Sequence, residues 1–165
     1  MTQAGEDTPW VMYCDGSAVP NPGRMGLGVL LKAPDGTRHT ISLATHATGC
    51  NNEAELLALM AGLRELQLRG AMALRVYSDN SILVEQLGGG ASHSPAMALA
   101  DVPVAPIARL AGVFDEARGL LASFQQVSVH WIPRHRNGEA DTLARAALGL
   151  PPKLAAVSAR RQRKR

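Results

Sequence analysis

Four carboxylates, Asp15, Glu55, Asp79 and Asp141, are the residues of this 165-residue chain whose setting points to chemistry. Glu55 is the sharpest of them. Leu56, Leu59, Leu63 and Leu66 recur at three- and four-residue steps, the stripe of an amphipathic helix over residues 51–69. Glu55 precedes Leu59 by four residues and so heads the stripe on the buried face. Glu53, about 200° away at ~100° per residue, faces water. A carboxylate on a buried face is costly unless a positive charge meets it. No Lys or Arg stands near it in the sequence, which leaves a metal ion as the candidate. Four clustered carboxylates carry about −4 and cannot all ionise without raised pKa values; two Mg²⁺ ions carry +4. Oxygen donors suit Mg²⁺ or Mn²⁺, and no thiolate or paired-imidazole spacing suits zinc. Two such ions about 3.5–4 Å apart activate water and hold both oxygens of an in-line phosphoryl displacement.

Gathering the four acids requires a particular order of elements. Trp10–Cys14 reads as a strand ending at Asp15-Gly16-Ser17, and 19–23 as loop. Gly26–Lys32 and Arg38–Ala44 read as a hairpin turned at Asp35-Gly36. The helix follows, capped by Asn51 or Asn52 and ended at Gly70. Leu74–Ser78 is the next strand, with Asp79 directly after it, then a helix over Ser81–Leu87 stopped by Gly88-Gly89-Gly90. Residues 91–105, rich in Ala, Pro and Ser, read as a mobile loop. A helix over Ile107–Phe124 carries Leu110, Phe114 and Leu121 on one face. Val127–Ile132 alternates as a strand, Pro133–Arg136 is loop, and Asn137 caps a last helix to Leu148, closed by Gly149 and Pro151-Pro152. The fold class is α/β: a five-stranded mixed sheet, three antiparallel strands and then parallel ones, flanked by helices. If the first and fourth strands are parallel neighbours, Asp15 and Asp79 follow their carboxyl ends at one sheet edge, where open α/β sheets put their sites. Asp141, in the first turn of the last helix, starts beside them.

The length suits one domain, 9–150, between a loose N-terminal tail, 1–8, and a basic C-terminal tail, 151–165. With 46% hydrophobic and 19% charged residues the chain reads as soluble and globular; 4% aromatics make the core aliphatic. No apolar run reaches membrane-spanning length and residues 1–9 lack a signal-peptide core, so the expectation is a cytoplasmic protein. Cys14 and Cys50 have no metal or redox spacing and are expected reduced. The net charge is +3, yet Arg160, Arg161, Arg163, Lys164 and Arg165 hold five positive charges, leaving −2 on the rest. An acidic body with a basic tail points to a polyanionic partner.

Tyr13-Cys14-Asp15-Gly16-Ser17, Asn21-Pro22-Gly23, Asn51-Asn52-x-x-Glu55, Tyr77-Ser78-Asp79 and His135-x-Asn137-x-x-Ala140-Asp141 occur in order over residues 10–148. This set resembles the type 1 ribonuclease H family. The resemblance implies a ribonuclease H-like fold and endonucleolytic hydrolysis of the RNA strand of an RNA–DNA hybrid, leaving 3′-hydroxyl and 5′-phosphate ends. It implies that Asp15, Glu55, Asp79 and Asp141 hold two Mg²⁺ ions, or Mn²⁺, and that His135 helps product departure or proton delivery. Asn21, Asn51 and Asn52 match positions touching the hybrid's minor groove, where 2′-hydroxyls mark the RNA strand; Gly16, Ser17 and Asn137 join them as expected substrate contacts. The chain resembles the short members that lack the basic protrusion, since residues 76–108 contain no Lys, Arg or Trp, and a monomer is expected. Cys50 stands where the family often has a hydroxyl residue at a DNA-phosphate pocket, and the loop from His135 to Asp141 is short.

Each residue has a plainer reading when taken alone. Asp15-Gly16 suits a turn, Glu55 a helix-start charge, Asp79 a helix cap, Asp141 a favourable first-turn acid, and His135 a solvated loop. Joint placement at one sheet edge is what independent plain readings do not predict. Two other functions stay open at this stage: a nucleic-acid-binding module of the same fold with little turnover, and a related metal-dependent DNA nuclease. Arg160, Arg161, Arg163, Lys164 and Arg165 are candidate phosphate contacts from a flexible arm.

Overall fold

Strand β1 (Trp10–Val19) anchors a five-stranded sheet of order β3-β2-β1-β4-β5, with β2 at Gly23–Lys32, β3 at Arg38–Gly49, β4 at Ala73–Ser78 and β5 at Gln126–Trp131. The computed structural model describes residues 8–88 and 104–153. The helices described are α1 (Asn51–Leu68), α2 (Ser81–Gly88), α3 (Val104–Ala122) and α4 (Gly138–Ala147), with a 3₁₀ turn at Arg134–Arg136. Strands β1, β2 and β3 are antiparallel, and β4 and β5 add in parallel beside β1. This is the mixed sheet expected from the element order.

The sheet is covered on both faces at β1 and β2 and unevenly elsewhere. Helix α1 lays Leu56, Leu59, Leu63 and Leu66, all buried, on one face together with Met12, Cys14, Leu27 and Val29. Gly62 lets it come close, since a Cβ there would stand 2.2 Å from the Met12 sulfur. On the other face α4 meets β2 at Gly26 and Gly28, where an added Cβ would strike the Ala144 and Ala140 carbonyl oxygens at 2.3 and 2.1 Å. The two glycines therefore set how near the helix carrying Asp141 sits. Leu110, Phe114 and Leu121 of α3 are buried against the same core as α1, as their spacing predicts.

Several local expectations are corrected. Strand β1 does not stop at Cys14. Its pairing with β4 ends at Tyr13, but its ladder with β2 runs on to Val19, so Asp15 lies inside the strand, just past the parallel pairs, rather than after its end. Asn51 and Asn52 do not cap α1: the cap residue is Cys50, without a side-chain bond, and Asn51 is already helical. The Asn51 amide instead donates to Asn21 Oδ1 at 3.1 Å, so the loop before β2 supplies the cap. Asn137 occupies the cap position of α4, but its side chain turns inward and its buried Oδ1 accepts from no described residue. Glu53 does not face open water; it is half-buried and accepts from Arg109 at 2.8 Å. Helix α3 begins at Val104, absorbing the end of the expected loop; Pro106 falls in the first turn, where a missing N–H costs nothing. The remainder of that loop, residues 1–7 of the expected N-terminal tail and residues 154–165 lie outside the described residues.

Candidate active site

Three of the four acids converge. Asp15, Glu55 and Asp79 each offer a carboxylate oxygen such that all three lie within 4.8 Å of one another. Different elements deliver them: the middle of β1, the first turns of α1 and the residue after β4. Gly16 makes the meeting of β1 and α1 possible. A Cβ on it would stand 2.2 Å from the Ala54 carbonyl carbon and 2.3 Å from the Glu55 nitrogen. The glycine next to Asp15 thus lets the helix backbone at Glu55 press against the strand, and the Gly16 amide donates to Asp15 Oδ1 at 3.0 Å. Asp79 is held from below and behind. Asn137 Nδ2 donates to Cys14 O at 2.9 Å and to Asp79 Oδ1 at 3.4 Å, and Trp131 Nε1 donates to Asp79 O at 3.2 Å.

The electrostatics of this group call for a cation. Burial is the main cause that pushes Asp15 up to about 9; the charges of Asp79 and Glu55, a hydrogen bond to Glu55 and the more distant Asp141 add to it. Glu55 is also raised, by burial first, against the pull of hydrogen bonds from Asn80 and Asp15. Among protein groups alone, a proton is therefore retained at the site. A hard divalent ion replaces that proton more effectively, and an all-carboxylate donor set is the kind that holds one. Residues and site fit.

Asp141 stands apart from the trio. It lines the same cleft, but its Oδ1 lies 3.8 Å from Lys153 Nζ. Lys153 arrives by a reversal of the chain after α4. Gly149 takes φ 73°, Leu150 N donates to Arg145 O at 2.9 Å, and Arg145 Nε donates to Pro151 O at 2.8 Å. The cleft, about 690 Å³, is lined by Asp15, Gly16, Ser17, Asn21, Asn51, Asn52, Glu55, Asp79, His135 and Asp141 among the residues singled out from sequence. Asn137 is buried beneath it rather than lining it. His135 is exposed on the 3₁₀ turn, beside Arg134, whose Nε reaches within 3.8 Å of Asp79 Oδ2. The five basic residues at 160–165 lie outside the described residues.

Three asparagines that line the cleft have their side-chain oxygens engaged. Asn51 Oδ1 accepts from Ala18 N at 2.8 Å, Asn21 Oδ1 accepts from Asn51 N, and Asn52 Oδ1 accepts from Asn80 Nδ2 at 2.9 Å. With each oxygen committed, the amide nitrogen is the group left for a ligand, so the three present donors. Minor grooves present acceptors at base edges and 2′-hydroxyls. Sequence reasoning missed Asn80, Arg134 and Lys153. Asn80 gave a signal, an Asn before the helix at Ser81; Lys153 looked like part of the tail.

A family model described as RNase H matches residues 7–149. A bifunctional protein of Mycobacterium tuberculosis is 31% identical over 155 residues, covering 90% of this chain; the chain spans 38% of that relative's length. The crystal structure of RNase H1 from the halophilic archaeon Halobacterium salinarum superposes with a TM-score of 0.70 at 28% identity, over 86% of this chain and 98% of that one. The crystal structure of LC11-RNase H1 in complex with an RNA/DNA hybrid gives 0.59 at 27% identity, over 85% and 96%.

Proposed function

The chain belongs to the RNase H family, and from that premise we propose that it is an endoribonuclease cutting the RNA strand of RNA–DNA hybrids and leaving 3′-hydroxyl and 5′-phosphate ends. The observation that carries the reading is the convergence of Asp15, Glu55 and Asp79 within 4.8 Å at the floor of a cleft rimmed by asparagine donors. Divalent ions, two Mg²⁺ or alternatively Mn²⁺, would supply charge neutralisation and an acidified water for an in-line displacement. Asp15, Glu55 and Asp79 would hold them, with Asp141, now paired with Lys153, as a fourth carboxylate ligand. Asn21, Asn51 and Asn52 address the minor groove through their amide N–H groups, which favours a strand bearing 2′-hydroxyls. Gly16 and Ser17 lie against the same strand. Asn137 acts beneath the surface by holding Asp79, and His135 stands where a departing product passes.

The unit that does this is residues 9–150, acting as a cytoplasmic monomer. Among the described residues no helix is long and apolar enough to cross a membrane. The test is cleavage of a labelled RNA–DNA hybrid beside duplex DNA, duplex RNA and single-stranded RNA, with and without Mg²⁺. Metal-dependent cutting confined to the RNA of the hybrid is the expected result. Binding without cutting in both Mg²⁺ and Mn²⁺ would leave a nucleic-acid-binding module, and preferred cutting of duplex DNA would make the protein a DNA nuclease.

A further inference from the structure

Asn80 is the side chain through which the ion site and the cleft asparagines are joined. It caps α2: its Oδ1 accepts from Leu83 N at 3.1 Å and its carbonyl accepts from Val84 N at 3.1 Å. Its own amide donates to Ser78 Oγ at 3.1 Å, which fixes the turn between β4 and the helix. Because a backbone N–H points at Oδ1, the side-chain amide has one orientation, with both Nδ2 hydrogens turned toward α1. One goes to Asn52 Oδ1 at 2.9 Å and the other to Glu55 Oε2.

Two consequences follow from that single group. Asn52 is held with its oxygen inward and its donors toward the cleft; rotated by half a turn, it would set N–H against N–H. Glu55 is held by a charge-assisted bond from Asn80 to its Oε2, and one of its carboxylate oxygens lies within 4.8 Å of those of Asp15 and Asp79. Asn52 and Glu55 are three residues apart on one helix and so share a face. Asn80 bridges them from a different element.

We propose that Asn80 is a positioning residue that sets both the donor orientation of Asn52 toward the nucleic acid and the presentation of Glu55 to the divalent ion. The proposal rests on the hybrid-binding, ion-dependent reading above. Ordering of α2 at its N-terminus is thereby linked to both halves of the site, and binding of a strand at Asn52 and binding of an ion at Glu55 support one another through the same amide.

The cap and the bridge can be separated by substitution. Asn80→Ser keeps a good helix cap but loses both Nδ2 donors, and Asn80→Asp keeps a cap while placing an acceptor against two acceptors. Thermal unfolding of both variants establishes that they fold. Mg²⁺ affinity is then read by calorimetry, and hybrid affinity by binding in Ca²⁺. Asn80→Ser is expected to weaken each by about 3–10-fold, the loss of one polar bond at each partner, and Asn80→Asp by more. In an Asn52→Ala background, Asn80→Ser should still weaken Mg²⁺ binding but should no longer alter hybrid affinity beyond the Asn52→Ala loss. A folded Asn80→Ser protein with wild-type Mg²⁺ and hybrid affinities overturns the proposal. So does full additivity of the two substitutions in hybrid binding. A wild-type protein that binds neither Mg²⁺ nor hybrid overturns the underlying reading as well, and the two failures are told apart by that first measurement.

Discussion

On one wall of the cleft, Asp15, Glu55 and Asp79 stand within 4.8 Å of each other on β1, α1 and the end of β4, with Asn80 and Asn137 bonded to them. On the other, His135, Asp141 and Lys153 sit on a 3₁₀ turn, the first turn of α4 and a reversed segment, and a 3.8 Å ion pair joins the last two. The first wall is the less exposed: Asp15 is buried and the Asp79 side chain keeps 9% of its exposure, against 23% for Asp141 and 61% for Lys153. Its geometry is set before any ligand arrives, by close backbone packing at Gly16 and by oriented amides. The second wall is held mainly by charge, and charges at a water-exposed rim are weakly fixed. The three converging acids thus form the close-packed side of the cleft, and the Asp141–Lys153 pair the more exposed one.

The hardest way to break that contrast is to remove a ligand from the rigid wall. Asp79→Asn should lower Mg²⁺-dependent cleavage by on the order of 10³-fold or more. It should leave the fold intact, because it relieves repulsion within the trio. The pH dependence gives an independent check. An unfolded aspartate titrates near ~3.9, whereas burial and the neighbouring acids push folded Asp15 up to about 9 in the absence of an ion. Between those values the folded state binds the extra proton, so stability falls as pH rises from the lower toward the upper value. In EDTA the wild type should lose stability across that window, Asp79→Asn should lose less, and Mg²⁺ should flatten the wild-type curve. Near-normal turnover in purified Asp79→Asn would remove Asp79 from the ion site.

A second, smaller break goes through packing rather than charge. Gly16→Ala puts a Cβ 2.2 Å from the Ala54 backbone, which cannot yield as a flexible side chain does. Such overpacking costs about 1–3 kcal/mol, a fall in Tm of roughly 2–12 °C in a domain of this size. Activity should fall further than stability alone explains, because the backbone displaced is that of Glu55. Unchanged Tm and turnover would show that β1 and α1 adjust freely at this point.

The rigid wall was also the legible one. Glu55 betrayed itself by heading a leucine stripe, and Asp79 by following a short β run; both are consequences of periodic elements. The parallel pairing of β1 with β4 followed from the crossover rule. What stayed hidden depends on contacts between distant segments. Whether β1 ends at Cys14 or Val19 depends on β2, not on the residues of β1. The packing role of Gly16 is invisible until Ala54 is seen against it. Asn21 capping α1 across 30 residues leaves no local trace. On the other wall, nothing in Gly149-Leu150-Pro151-Pro152-Lys153 announces that the chain turns back to Asp141, because Arg145 holding Pro151 is a tertiary fact.

His135 sharpens the contrast, since its assignment depends on the looser wall. A group that transfers the proton in the transition state is worth about 10²–10⁴-fold. His135 is exposed and touches none of the three converging acids, so a supporting role in product departure fits it better. His135→Ala should lower turnover by about tenfold and leave hybrid affinity nearly unchanged. Single-turnover and steady-state rates separate the cases. A drop confined to the steady state supports release, an equal drop in both moves His135 to the chemical step, and no drop returns it to a solvated loop residue.

The smallest expected effect lies beyond the loose wall, in the tail. The chain without its last five basic residues carries −2, and residues 76–108 contain no Lys or Arg. Lys153, which precedes the basic segment in the sequence, lines the cleft. On the proposed function, Arg160, Arg161, Arg163, Lys164 and Arg165 are the candidate contacts to the backbone phosphates. Contacts of this kind ignore sequence and act through counterion release, each steepening log K against log[salt] by about 0.9 on duplex DNA. Five give an upper bound near 4.5, and engagement of only some of the charges at a time should contribute about 1–3. Deleting residues 160–165 should therefore weaken hybrid binding at low salt and flatten the slope by that amount. The rate at saturating substrate should stay the same, because the floor of the site is untouched. Full-length and truncated protein are compared on one hybrid across a salt series, with Ca²⁺ in place of Mg²⁺ to suppress cutting. Parallel lines with equal intercepts would mean that the tail does not touch the substrate, and a slower saturated rate would mean that it reaches into the cleft itself.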